Sequence, residues 1–582
     1  MKRTLFLIAA LAALTSCGRS GSRTISSPSA EIRATLGQDS LVVSFRGRPV
    51  QTLALSFGEL ERIGKTTRTE DGLANAAELR FSNGRLEVRA YDDGVAFRFV
   101  DVTERPTAAY LIPEGRHRWA QDRQRDYEGL YSPMDGSRPG NWAYPLLLDC
   151  GDGVFTLIAE AGLERGHCGS YLKADESGKY VVTPMDEAPA YTTSPWRVVV
   201  AGTLATIAET TLIADLNAPN RIGDASWVHP GLASWIYWAY NHGSNDFRIV
   251  KQYIDLAAEM GWPYCLIDAE WDEMGNGGTL EDAVAYAKEK GVRLTIWYNS
   301  DTNWTGPSAP GPQGLMGDPA VREAEFARIE AMGIAGVKID FFRLDNSETV
   351  NYYLDLLEET ARHHLMLDLH GSTIPRGWQR TYPHLISMEA VYGAEWYNNL
   401  PFMTNWAASH NATLPFTRAV MGPMDYTPGT FSDSQHPHIT TYAHELALPV
   451  LYQSTIQHMP DRPEAYRSLP DEVRTLLKDL PTVWDETRLL AGYPGEFVVM
   501  ARRSGASWYV AGINGTTEAR ALPLSGVAPG AGILFADGGE DRAFAISRFD
   551  KAPETVLCRP RGGFVLKLDS SIICDSPFTT AS

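Results

Sequence analysis

From residue 227 to about residue 483, short apolar runs alternate with segments of helical period. This alternation constrains the fold more tightly than any other feature of the chain. GLASWIYW (231–238) reads as a strand and 246–260 as an amphipathic helix. YCLIDAEW (264–271), a helix over 280–290 and VRLTIWYN (292–299) follow. A helix over 321–332, GVKIDFF (336–342), a helix over 347–364 and LMLDLHG (365–371) continue the series. Apolar strands joined by helical crossovers form a parallel sheet covered on both faces, and roughly 250 residues of such units close into a (β/α)8 TIM barrel. A doubly wound open sheet is the alternative, but no GxGxxG run follows these strands to support it.

The flanks have a different texture. Residues 31–225 carry short alternating segments between turn residues, such as LVVSF (41–45), VFTLIAE (154–160) and PWRVVVAG (195–202). RLEVRAYDDGVAFRFV (85–100) reads as a hairpin around Asp92-Asp93-Gly94. Many short strands over this length predict an N-terminal β-sandwich. Strand texture returns at 484–582 in GEFVVMARR, ASWYVAGIN and GGFVLKLD, predicting a small C-terminal β-sandwich domain after a barrel over 226–483.

The head of the chain reads as an address. Lys2 and Arg3 precede an apolar run over 5–14 that is too short to cross a bilayer. Leu14-Thr15-Ser16-Cys17 resembles the bacterial lipobox, whose cysteine carries lipid and becomes the mature N-terminus; a plain signal peptide is the alternative. Residues 1–17 are thus expected to be a lipoprotein signal peptide and 18–30 a flexible tether. The protein is expected to be exported, in the periplasm or on the outer membrane, touching membrane only through lipid on Cys17. Five other cysteines remain, and a Cys150–Cys168 or Cys558–Cys574 bridge is compatible with an oxidising compartment. The 71 acidic residues outnumber 52 basic ones for a net charge of −19, which argues against a nucleic-acid partner.

In a barrel of this kind the reactive groups come from the C-terminal ends of the strands. Those ends carry Trp238, Asp268, Trp297, Asp340 and His370, followed by the Glu389 region. Two carboxylates flanking a glycosidic bond can supply nucleophile and acid/base, and Trp and Tyr faces suit sugar rings. Lys338 precedes Asp340 by two residues on the same strand face, where an ammonium would hold a carboxylate ionised. A structural Asp–Lys pair is the alternative. Glu389 and Glu395, six residues apart, are compatible with Ca2+, and one of them with a proton donor; a solvated acidic loop is the alternative.

IAEAGLERG (158–166), LIDAEW (266–271), GVKIDFF, HGSTIPRGWQRTYPH (370–384), MEAVYGAEW (388–396) and PFTRAVMGPMDYTPG (415–429) together resemble glycoside hydrolase family 97. The resemblance implies an exo-acting α-glycosidase built as β-sandwich, (β/α)8 barrel and C-terminal β-domain. It implies the retaining branch, which includes α-galactosidases, with Asp340 as nucleophile and Glu395 as general acid/base. Inverting α-glucosidase-like members place a base Glu where this chain has Gly371. By resemblance, Glu160, Glu389 and Glu395 would hold Ca2+. Asp268, Lys338, His370 and Arg380 are expected as polar substrate contacts, with Trp271 and Trp297 as apolar walls. The expected partner is an α-glycoside or oligosaccharide. The rivals are an inverting α-glucosidase and a catalytically silent carbohydrate-binding lipoprotein. IDAEW and Ile374-Pro375-Arg376-Gly377 depart from the usual family pattern, and both touch specificity.

Overall fold

A computed structural model describes residues 24–568 apart from 38, 188–190, 241, 303–305, 434–435 and 528–529. Cys17, the signal segment and Cys574 lie outside the described residues. The barrel strands are β1 (Gly231–Ile236), β2 (Tyr264–Ile267), β3 (Arg293–Asn299), β4 (Gly336–Asp340), β5 (Met366–Leu369), β6 (Leu385–Met388) and β7 (Ile456–Met459). Between them run α1 (Phe247–Met260), α2 (Leu280–Lys290), α3 (Pro319–Met332) and α4 (Ser347–Arg362).

Local chemistry sets these boundaries. Asp246, Thr279, Asp318 and Asn346 cap the four helix N-termini through their side chains, and Gly261, Gly291 and Gly333 end the first three in the left-handed conformation. In α1 the buried positions Phe247, Val250, Ile254 and Ala257 form one face against the sheet.

The strands pair in parallel in the order β6-β5-β4-β3-β2-β1-β7. Eight strands were expected. Among the described residues the eighth position shrinks to a single bridge, Met424 to Met388, between β6 and β7. Pro423 has no N–H to extend that ladder.

The N-terminal region is a sandwich of an eight-stranded and a ten-stranded sheet. The stretch expected as a tether, 18–30, is described only from residue 24, and there it is not all loop. Thr24–Ser26 pairs antiparallel with Ile32–Leu36, and the buried Ile25 holds it to the sheet. The C-terminal sandwich has unequal layers. Its six-stranded sheet packs one face on the ribbon Arg520–Pro523/Thr555–Cys558 and the other on the barrel helix Tyr442–Leu451. Cys150, Cys168, Cys265 and Cys558 are all free and buried, so the Cys150–Cys168 bridge does not form. No helix among the described residues is long and apolar enough to cross a membrane.

Candidate active site

The C-terminal ends of the barrel strands surround a cavity of about 280 Å³. Asp340 closes β4 and points into it. Trp297 Nε1, from β3, donates to Asp340 Oδ2 at 3.1 Å, and the Phe341 amide donates to Oδ1 at 2.6 Å. Phe341 has φ 75°, an uncommon conformation for a bulky residue, and that turn aims its amide back at the carboxylate. Burial raises the Asp340 pKa to about 6, against the pull of His370 and Lys338. Most of the group is therefore ionised at neutral pH.

Lys338 does not pair with Asp340 as its spacing suggests. Its Nζ donates to Asp268 Oδ2 at 3.0 Å and lies 4.7 Å from the Trp235 ring centre. Burial favours a neutral Asp268, yet Lys338, the Trp235 indole (2.7 Å) and the Ala269 amide hold its carboxyl below the ordinary value. Asp268, Lys338 and Trp297 all line the cavity.

Glu395 heads the short helix Trp396–Asn399 on the loop after β6. The backbone of that loop is strapped down from three sides. Trp238 Nε1 donates to Ala394 O at 3.0 Å, the Ala394 amide donates to Tyr426 O at 2.8 Å, and the buried Arg418 guanidinium donates to Met388, Glu389 and Ala390 carbonyls. Burial, then the neighbouring Glu389, raises the Glu395 pKa to about 8. Such a carboxyl holds its proton at neutral pH and can deliver it.

Glu389 Oε2 accepts from the Gly371 amide at 2.8 Å and lies 3.2 Å from His370 Nδ1. His370, Glu389 and Glu395 place ligand atoms within 4.8 Å of one another, a group able to hold a metal. His370 itself serves better as a counter-charge. Its Nε2 meets Asp425 Oδ2 at 2.7 Å, so both ring nitrogens face carboxylates. Although burial opposes it, Glu389 and Asp368 raise its pKa well above the ordinary value. Glu128, from the sandwich, completes the acidic set. It accepts from Trp396 Nε1 at 2.7 Å, and burial followed by Glu389, Asp126 and Glu395 pushes its pKa far up. Carboxylate oxygens gathered on one side of the cavity are the donor type that a hard divalent cation takes.

Four expected site residues stand elsewhere. Glu160 is sealed between two guanidiniums: Arg376 Nε donates to it at 2.9 Å, and Arg197 pairs with its other oxygen. A cation would have to displace both arginines, and the sandwich carboxylate that lines the cavity with Glu389 and Glu395 is Glu128. Arg380 reaches Asp215 at 2.8 Å and ties the barrel to the sandwich. Trp271 donates to Trp297 O at 2.6 Å and braces β3 from behind. His370 is 1% exposed and sits behind the cavity wall, not on it. Sequence reasoning missed Glu128, Asp126, Trp235 and Arg418. The only sequence signal for the first two was an acidic pair in a strand-poor stretch, 125–129.

A parallel barrel with carboxylates gathered at the C-terminal mouth and set among tryptophans defines a glycoside hydrolase. The family model described as Glycoside hydrolase 97 matches residues 232–391. The Glycosyl-hydrolase 97 N-terminal model matches 59–219, and the C-terminal, oligomerisation model matches 483–569. A "Probable retaining alpha-galactosidase" from Streptomyces bingchenggensis is 34% identical, covering 86% of this chain and 85% of its own. A "Retaining alpha-galactosidase" from Bacteroides thetaiotaomicron is 29% identical, covering 85% of each. A crystal structure of a β-arabinopyranosidase superposes with a TM-score of 0.84 at 26% identity, covering 94% of this chain and 99% of that one. The chain belongs to glycoside hydrolase family 97.

Proposed function

We propose that the protein hydrolyses terminal α-galactosides with retention of configuration. Asp340 attacks the anomeric carbon as the glycosidic C–O bond breaks, and Glu395 gives its proton to the leaving oxygen. Water then attacks the same carbon, Glu395 takes the proton, and the Asp340 carboxylate leaves. Asp268 and Lys338, locked to each other, present a fixed polar pair to sugar hydroxyls, and Trp235 and Trp297 supply apolar wall.

The observation that carries this reading is Gly371. A Cβ there would lie 3.1 Å from Asp340 Oδ1 and 3.0 Å from the Phe341 amide, and the residue has φ 51°. A water-activating carboxylate at this position and the Asp340 carboxylate would compete for the same space. A chain that keeps Asp340 gives up the inverting base. The names of the two sequence relatives support the same reading.

A Ca2+ ion held by Glu128, Glu389 and Glu395 would supply positive charge beside the acid/base and fix its orientation. We further read the chain as exported and held to a membrane by lipid on Cys17.

Proton NMR of a nitrophenyl α-galactoside digest tests retention. α-Galactose should appear first, and first release of the β-anomer overturns the mechanism. A second substrate has support in the β-arabinopyranosidase likeness. A β-L-arabinopyranoside has the ring configuration of an α-D-galactoside without the hydroxymethyl group. Comparing kcat/KM for the two nitrophenyl glycosides decides which the cavity prefers.

A further inference from the structure

A second recess, of about 290 Å³, lies where the sandwich, the helix Pro401–Thr413 and the C-terminal domain meet. It matches the catalytic cavity in size. Its walls are aromatic, with Trp119 and Tyr131 from the sandwich, Trp406 from the helix and Tyr493 from the C-terminal domain. The Trp119 and Tyr493 rings meet edge to face at 5.4 Å. Trp119 is 2% exposed and Trp406 is 55% exposed, so a rigid floor stands behind an indole that faces water. Phe402, one helical turn earlier on the same helix, is 45% exposed. An exposed apolar face of this kind at a recess marks a binding site.

The polar groups of the recess are neutral or compensated. Glu496 is paired with Arg520 at 2.9 Å, and His117 Nδ1 meets Asp135 Oδ1 at 2.5 Å. His410 donates through Nε2 to Tyr392 O at 3.0 Å, and burial keeps its ring uncharged at neutral pH. The ligand chemistry that fits is therefore uncharged, with an apolar face for the indole and hydrogen-bonding edges for the rim. A pyranose ring has that chemistry, its C–H face stacking on an aromatic plane and its hydroxyls meeting polar atoms. The recess also borders the catalytic mouth along the chain. Tyr131 follows Glu128 by three residues, and the Trp406 helix begins directly after Trp396–Asn399, which contributes Trp396 and Asn399 to the cavity lining.

We propose that this recess is a second, non-catalytic carbohydrate site that holds a pyranose unit of an oligo- or polysaccharide, with Trp406 as its stacking platform. The site stands apart from the reaction and does not depend on which terminal sugar the barrel removes.

Affinity electrophoresis through gels cast with galactomannan, xyloglucan or starch tests it, using wild type, Trp406→Ala, Trp406→Phe and Asp340→Asn. At least one polymer should retard the wild type. Trp406→Ala should weaken that retardation about fivefold or more, and Trp406→Phe should keep most of it. Asp340→Asn should migrate as wild type does. Trp406→Ala should hydrolyse nitrophenyl α-galactoside within about twofold of wild type, as the site lies outside the reaction. If it also loses kcat/KM on a galactomannan oligosaccharide, the recess holds the chain being cleaved; if it loses retardation alone, the recess holds a separate chain. No retardation of wild type by any polymer overturns the proposal, as does unchanged retardation of Trp406→Ala. A Trp406→Ala variant that lowers the mass in light scattering with retardation intact assigns the face to a second copy and also overturns it.

Discussion

Two groups of carboxylates meet at the junction of sandwich and barrel, and they differ in what faces them. In the first, Glu160 sits between Arg197 and Arg376, and Arg376 turns its other edge to Asp345 at 2.6 Å. Tyr127 adds a hydrogen bond to Asp345 at 2.7 Å. All of these side chains are buried, and each charge has a partner. In the second, Asp340, Glu395, Glu389 and Glu128 open onto the cavity, while Lys338 is committed to Asp268 and Arg343 faces Asp126 at 3.7 Å. Paired charges sealed from water lock two domains together. Crowding and burial let Asp340, Glu395 and Glu128 keep their protons to higher pH than usual, and the group gains from a substrate, a proton or a cation.

The largest expected effect is on the open group. Asp340→Asn should cut turnover of nitrophenyl α-galactoside about a thousandfold or more while far-UV circular dichroism and melting stay near wild type. Retained hydrolysis would remove the nucleophile from the mechanism. Glu160→Gln probes the sealed group and should act the other way round. It leaves two buried guanidiniums short of a partner, so unfolding in urea should show a loss of about 3–5 kcal/mol. Its affinity for Ca2+ should be unchanged. A large loss of Ca2+ affinity would restore Glu160 as a ligand and erase the distinction.

Cation binding comes next in size. Free Ca2+ at about a hundred times its dissociation constant should stabilise the wild type by about 2.7 kcal/mol, read as a rise in Tm that chelation reverses. Glu128→Gln should weaken that binding about tenfold, whereas Asp345→Asn should not. The smallest effect is on pH dependence. Asp340 must be ionised, so kcat/KM should fall as pH drops below about 6. Glu395 must be protonated, so the rate should fall as pH rises above about 8. Bound Ca2+ favours both carboxylates and should move both limbs to lower pH. A profile flat from pH 5 to 9 would break the assignment of roles.

Much of this was legible in the residues alone. Asp268, Asp340 and Glu389 sit at or one residue past the ends of β2, β4 and β6, as the apolar runs indicate. Trp297 and Lys338 also reach the cavity. Arg380, Trp271 and Glu160 were legible as side chains near the site but not as to their direction. Each is turned away by a partner on another element, Asp215, the Trp297 carbonyl, and Arg197 with Arg376.

The sequence by itself determined the parallel barrel between two β-domains, the capped helices, and the strand-end acids, because periodicity and caps act within a few residues. The tertiary structure decided which acids are paired. Glu160 meets Arg376 across 216 positions of chain, and Glu128 meets Trp396 across 268. Whether a carboxylate is a lock or a reactive group depends on such distant partners, since charge compensation acts through space and leaves no mark in local pattern.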